Sequence, residues 1–532
     1  MTTVSGDSRH AVSQQDSFGT LLYILLVCAA AQSLWIFLRG FNFPILDLHG
    51  FRQTQTALSA YWLDRGGPPF IYETPVLGAP WAIPFEFPFY QWIVVGLRKL
   101  TGAPLDGCGR AVSYAFFQLT FIPLRTVVAY FYKEREAFLI AAILLLCSPL
   151  YLFWSRAFMI ESTALFACVG FIACVIGWVR APSALGLFAA TLFAAFAALQ
   201  KVTTFVPAAF VAGAIVLDAI LRRAQDEPGQ GGAVRKLVRA ALAHAPIALP
   251  VVVSLALLTY WLKRADEAKA LNSIGEMLTS STLSAFNYGT WAQRTSGAFW
   301  SVVKGRMLPE AVGAPALLIA VASAALALNP GWARRAALIG AGFLAGLLVF
   351  ANLHFIHNYY QYAISLYLIL AVAFAVHEIG LQRPLLGAAA LIALIASLSV
   401  TFYGGRESYF RALLSGDRLR NGQTLQLARY VAANTPPDSV VIGFGFDWSS
   451  ELPYYAQRKG LIVPVWVGDD RLKTLLANPT QPIGGLPVGA IVICPPGLSA
   501  DQKAELDANA EFRRALAGMT KTTIMACEVY RP

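Results

Sequence analysis

The amino-acid sequence predicts an α-helical polytopic membrane protein with a small C-terminal α/β domain. Three observations carry this. The 532 residues are 57% hydrophobic and 13% charged, with a mean hydropathy of +0.57, whereas soluble domains carry about a quarter charged residues. Apolar runs of roughly 20 residues, the length that crosses a bilayer, recur between residues 19 and 403. Beyond residue 404 the pattern changes to short β-branched runs alternating with helical spacing.

In chain order, the N-terminal MTTVSGDSRHAVSQQDS is polar and is expected to be disordered. The run after it has no convincing cleavage site and reads as a retained helix. About eleven spans fall near 19–38, 110–131, 137–154, 161–179, 184–200, 203–221, 243–262, 311–328, 336–353, 359–378 and 385–403. The first two enclose a loop over 39–109. Within it Pro88–Leu100 is too short to cross, and its aromatic start and basic end suit a helix lying in the interface. After the last span, LQLARYVAAN reads as a helix, and SVVIGFGF, LIVPVWV and GAIVIC read as strands. A helix is expected near Ala500–Leu516, and TTIMACEVY closes the chain. The division is therefore a membrane part over 1–404 and an α/β part over 405–532.

The net charge is +11. Its sources are short loops carrying Lys133 and Arg135, Arg180, Arg222 to Arg239, Arg334 and Arg335, and Arg383. These alternate along the chain, so the positive-inside rule puts them all in the cytoplasm. This accounts for the basic balance without nucleic acid. The glycine-rich stretch 222–239 reads as a flexible linker beside anionic headgroups. The opposite, outer side then takes loop 39–109, the turns at 155–161 and 200–201, the loop near 263–310, the turn at 353–360, and everything after about 404.

Seven cysteines are present. Cys28, Cys108, Cys147, Cys168 and Cys174 lie in or at the edge of apolar runs and act as small hydrophobes. No Cys/His spacing suggests structural zinc. Cys494 and Cys527 fall in predicted strands, where a disulfide and two separate buried thiols both fit.

Ionisable residues gather at the outer ends of the spans, where charge is costly and usually functional. Asp47 follows the first run by a few residues. Beside an apolar surface its proton affinity should rise, which suits a general base on a hydroxyl; a capping aspartate is the plainer alternative. Glu86, between aromatics and prolines in PFEFPFYQW, suits a saccharide-facing wall. Lys201, with Arg52, Arg156 and His357, could hold a phosphate, against a snorkelling lysine. Glu161 lies close enough to Arg156 for a local ion pair. His354 and His357 fit a metal, a phosphate or ordinary polar roles. His49, Tyr359 and Tyr360 complete the set. Asp447 and Glu451 follow a predicted strand and receive no catalytic role. No P-loop, dinucleotide fingerprint or nucleophile elbow is found.

The order DLHGFRQTQTA, EFPFYQW, SRAFMIES, LQKVTTFVP, HFIHNYYQYAI resembles the GT-C glycosyltransferases. The nearest-looking branch is that of bacterial protein O-mannosyltransferases and aminoarabinose transferases. The resemblance implies a polyprenyl-phosphate-linked sugar donor, an inverting transfer, and a glycan, lipid or protein acceptor. It also implies an inner-membrane enzyme embedded in lipid, with site and C-terminal domain facing the periplasm. On that pattern Asp47 and Glu86 are catalytic, and Arg52, Arg156, Lys201, His357 and Tyr359 bind the donor phosphate. His49, Glu161, His354 and Tyr360 line the rest of the cavity. No cofactor is certain. Many such enzymes carry a second acid directly after the first, whereas Asp47 is followed by Leu48 and His49, so a divalent metal is left open. Two other classes compete: an O-antigen-type polymerase or ligase, which would lean on outer arginines, and a lipid-linked sugar flippase, which should show paired repeats.

Overall fold

The computed structural model describes residues 5–226, 232–405, 409–479 and 481–532. Among these, eight helices are long and apolar enough to cross a membrane: Gln15–Gly40, Leu105–Phe131, Glu161–Arg180, Val202–Asp226, Ala233–Ala270, Trp332–Val349, Gln361–Gln382 and Pro384–Gly404. A ninth is formed if Gly297–Ala311 and Pro315–Leu328, bent by 72°, count as one span. The expectation of about eleven differs for local reasons. The run 184–200 forms a helix of only 17 residues. The run 137–154 breaks into Arg135–Cys147 and Pro149–Trp154, because proline cannot donate the helical hydrogen bond. The chain is a multi-pass membrane protein.

The helices Glu161–Arg180 and Gln361–Gln382 are the most buried spans, apolar on every face as interior helices are. The basic loops latch the bundle at one end. Arg334 pairs with buried Asp218, and Arg335 reaches buried Glu378 at 2.5 Å. From Gln361 to Glu378 a helix rises roughly 25 Å, so this end is distant from the one that carries Asp47.

Helix α1 (Ser5–Gly40) extends back through the stretch expected to be disordered; residues 1–4 lie outside the described residues. Of the expected linker, 222–226 ends one helix and 233–239 begins the next, while 227–231 lie outside the described residues. The first loop holds two helices, α2 (Gly50–Asp64) and α3 (Phe89–Thr101). The second is helical over nearly the residues Pro88–Leu100 expected to form a short helix. It ends at Gly102, whose left-handed φ of 69° suits a C-terminal stop.

The C-terminal sheet contains β1 (Val440–Phe444), β2 (Lys459–Val463), β3 (Val488–Ile493), β4 (Thr520–Ile524) and β5 (Cys527–Arg531) in the order β2-β1-β3-β5-β4. The first three are parallel, and β4 and β5 form an antiparallel hairpin against β3. Cys494 and Cys527 form a disulfide at a Cα separation of 4.2 Å. The free edge of β2 is capped by the first loop: Gly460 N donates to Pro75 O at 2.9 Å and Ile462 N to Val76 O at 2.7 Å. Ile45, Ala57 and Leu58 of the first loop share one apolar cluster with Ile442, Phe444 and Leu461 of the sheet. An edge left open would be an aggregation hazard; here the first loop closes it.

Candidate functional site

Asp47 lies in the turn between α1 and α2, with a side chain only 1% exposed. Its Oδ2 accepts from Arg156 at 3.0 Å and from Arg110 at 3.4 Å, and its Oδ1 from Gln53 at 2.6 Å. Arg156 reaches it past Gly40, where an added Cβ would fall 2.5 Å from the guanidinium. Burial alone would raise the Asp47 carboxyl. The Arg110 and Arg156 charges and the Gln53 hydrogen bond outweigh it and hold the carboxyl below its ordinary value. The expected rise in proton affinity is therefore reversed. It considered apolar surroundings alone, and the two guanidinium groups dominate.

The next residues are arranged by α2. His49 caps that helix in the left-handed conformation, φ 51°, a strained state for a non-glycine residue that persists at sites held by their surroundings. Arg52 donates to Glu86 at 2.5 Å and also to Gln55. Glu86 is a quarter exposed. The Arg52–Glu86 pair thus joins the start of α2 to the wall segment before α3.

Glu161 does not pair with Arg156. It takes Lys201, and both are buried. The Lys201 ammonium lies 4.4 Å from the Tyr360 ring centre and 5.4 Å from that of Tyr359, within cation–π range. His357 faces His49 at 5.5 Å and Tyr359 at 5.3 Å between ring centres. Burial, and then the charges of His49, Arg306, Lys201 and Arg52, push His357 down to about 4. His354 is fully buried in the helix Ala351–Ile356 and is pushed down to about 3, chiefly by burial. Among the described residues no group of three or more His, Cys, Asp or Glu side chains could hold a metal ion.

Three contributors were not anticipated. Arg110 opens an apolar run and was absorbed into a span; a lone cation in such a run was the signal. Gln53 carried none. Arg306 sits in a π-helical turn, Val303–Met307, and donates to the carbonyls of His354 at 2.6 Å and Phe355 at 3.0 Å. Such turns recur at functional sites. Buried atoms of Gln55, Arg110, Arg156, Glu161 and His354 have no hydrogen-bond partner among the described residues. Unsatisfied buried polar groups are costly, and three of these side chains, Arg110, Arg156 and Glu161, also make the ion pairs. Arg52, Arg110, Arg156, Lys201 and Arg306 outnumber the carboxylates of Asp47, Glu86, Glu161 and Asp106, the last beside Arg110, so this set is net positive by one charge.

No family model matches the chain, and no curated protein matches it in sequence. Solved structures do. ArnT from Cupriavidus metallidurans, bound to undecaprenyl phosphate, matches with a TM-score of 0.56 at 15% identity, over 95% of this chain and 97% of that one. The archaeal oligosaccharyltransferase AglB from Archaeoglobus fulgidus, in complex with an inhibitory peptide and a dolichol-phosphate, gives 0.53 at 13% identity, over 96% and 74%. The fold is that of the GT-C glycosyltransferases. The mycobacterial arabinofuranosyltransferase AftD shares it at a TM-score of 0.50 and 15% identity, over 95% of this chain and 39% of that one. At such identities the likeness is one of GT-C architecture, and the chemistry must be argued from the side chains above.

Proposed function

We propose that the chain is an integral-membrane glycosyltransferase. It moves a sugar from a polyprenyl-phosphate donor to a hydroxyl of a glycan, lipid or protein acceptor. The observation that carries this is the net-positive, largely buried cluster at the bundle end remote from the basic loops. The GT-C fold supports it, since ArnT and AglB were solved with lipid phosphates. By the positive-inside rule that end faces outward, the periplasm of a bacterial inner membrane.

In this reading the bond from the anomeric carbon to the phosphate oxygen breaks as the acceptor oxygen attacks from the opposite face, inverting the centre. Arg52, Lys201, His357 and Tyr359 receive the departing phosphate, whose charge fixed cations stabilise without reorganisation. Arg156 acts one step back: it holds Asp47. A carboxylate offers about four lone-pair sites, and Asp47 uses three on Gln53, Arg110 and Arg156. The remaining one orients the acceptor hydroxyl and takes its proton. Its low basicity suffices because a phosphate leaving group drives the displacement. Glu86, partly exposed and paired with Arg52, is the second carboxylate within reach of the acceptor.

The test is to incubate the full chain in nanodiscs with a labelled polyprenyl-phosphate sugar and candidate acceptors, comparing wild type with Asp47→Asn. At least a hundredfold loss is expected. Full turnover by Asp47→Asn would remove Asp47 from catalysis, and no donor consumption with any acceptor would favour a transporter.

A further inference from the structure

The turn after β1 carries chemistry that the transfer step leaves unused. Gly445 has φ 83° and Asp447 has φ 52°. The latter is a left-handed backbone that non-glycine residues keep only where their surroundings impose it. An added Cβ at Gly445 would lie 2.2 Å from the carbonyl oxygen of disulfide-bonded Cys494. The base of the turn is thus pressed onto the bridged part of the sheet.

The effect is to deliver Trp448 onto α2. Its ring centre lies 5.0 Å from that of Phe51, edge to face, and 6.0 Å from that of Phe85. All three rings remain partly exposed. Phe51 immediately precedes Arg52, and Phe85 immediately precedes Glu86, the two ends of the 2.5 Å ion pair. The aromatic rings and the charged fork are therefore carried by the same two backbone segments. Glu451 sits beside the first residue of α2, where an added Cβ at Gly50 would lie 2.8 Å from its Oε1. Burial raises the carboxyls of both Asp447 and Glu451.

We propose that Trp448, Phe51 and Phe85 form a saccharide-stacking subsite with the Arg52–Glu86 pair at its edge, so that the C-terminal domain reads the acceptor sugar. A pyranose has one face rich in C–H groups and a rim of hydroxyls. Aromatic rings accept the face, and a guanidinium–carboxylate pair donates to and accepts from the rim. An isoprenoid tail would call for an apolar crease without such a pair. The proposal rests on the glycosyltransferase reading and assigns Trp448 as a specificity-determining residue.

Saturation-transfer NMR on the full chain in nanodiscs, with methyl glycosides of glucose, mannose, galactose and arabinose, tests it. At least one glycoside should saturate at its ring C–H protons. Trp448→Ala should cut that signal at least fivefold and Trp448→Phe should keep at least half. Trp448→Leu, which retains apolar volume without an aromatic face, should behave like the alanine variant, and it serves alone if the alanine variant does not fold. A Trp448→Leu signal within twofold of wild type, or no saturation of any glycoside, overturns the subsite. Polyprenyl phosphate binding measured on the same wild-type sample separates the two ideas. If wild type binds none, the transferase reading fails. If it binds and the glycosides ignore Trp448, the subsite alone fails.

Discussion

The Arg156 guanidinium donates to the Asp47 carboxylate at 3.0 Å across the end of α1, through space that Gly40 leaves open. Both side chains are about 1% exposed. Removing one partner of a buried pair leaves the other charge uncompensated, typically at about 3–5 kcal/mol. Because Arg110 still faces Asp47, Arg156→Gln is expected at the lower end, about 3 kcal/mol, read by unfolding in detergent. Adding Asp47→Asn should recover part of that loss, and strictly additive losses would show that the pair is not coupled.

The pair between Glu161 and Lys201 separates stability from ligand binding. Lys201→Met should lower the thermal midpoint, because Glu161 is left buried and unpaired. Glu161→Gln in the same chain should restore most of the midpoint. Affinity for polyprenyl phosphate should stay at least tenfold down in both variants. Recovered affinity in the double variant would remove Lys201 from the phosphate site.

His357 gives a pH dependence with a definite sign. Its folded value of about 4 lies below the ordinary 6.5, so the unfolded chain binds the proton more readily. The stabilising contribution is complete above pH 6.5 and is lost as the pH falls from 6.5 towards 4. A thermal-midpoint series should show a steeper acid decline for wild type than for His357→Asn. Bound polyprenyl phosphate, bringing negative charge, should move the His357 titration upward in histidine NMR. An unchanged titration would place the phosphate elsewhere.

Sidedness is checked by labelling. In a background lacking exposed Cys28, a cysteine at Glu86 and one at Arg235 should react with impermeant reagent from opposite faces of the membrane. Labelling from one face would overturn the layout.

Eight of the eleven expected spans and the alternation of strands and helices were legible because both follow from local periodicity. The closing TTIMACEVY segment also reads as β, although it folds into two strands that turn at Met525, φ 52°. Pairing was less legible. Closeness in sequence suggested an Arg156–Glu161 pair, but the turn between them sends Arg156 to Asp47 and leaves Glu161 to Lys201, 40 residues away. Arg110 was hidden because a window that averages hydropathy absorbs one cation at its edge. The direction of the Asp47 shift could not be read without those partners, since burial and ion pairing act with opposite signs.

The capping of β2 by the first loop bears on how the protein is made. Lys459 pairs with Glu73 at 2.8 Å across 386 residues of chain. At roughly 5–20 residues per second of synthesis, the loop emerges about 20–80 seconds before the strand it completes. During that interval its backbone at 75–78 has no sheet to join, and the side of α2 that packs on Glu451–Ala456 has no cover. A nascent chain stalled or truncated before residue 459 would present this half-built surface to proteases and chaperones. Quality control of the protein is thus timed by its last hundred residues.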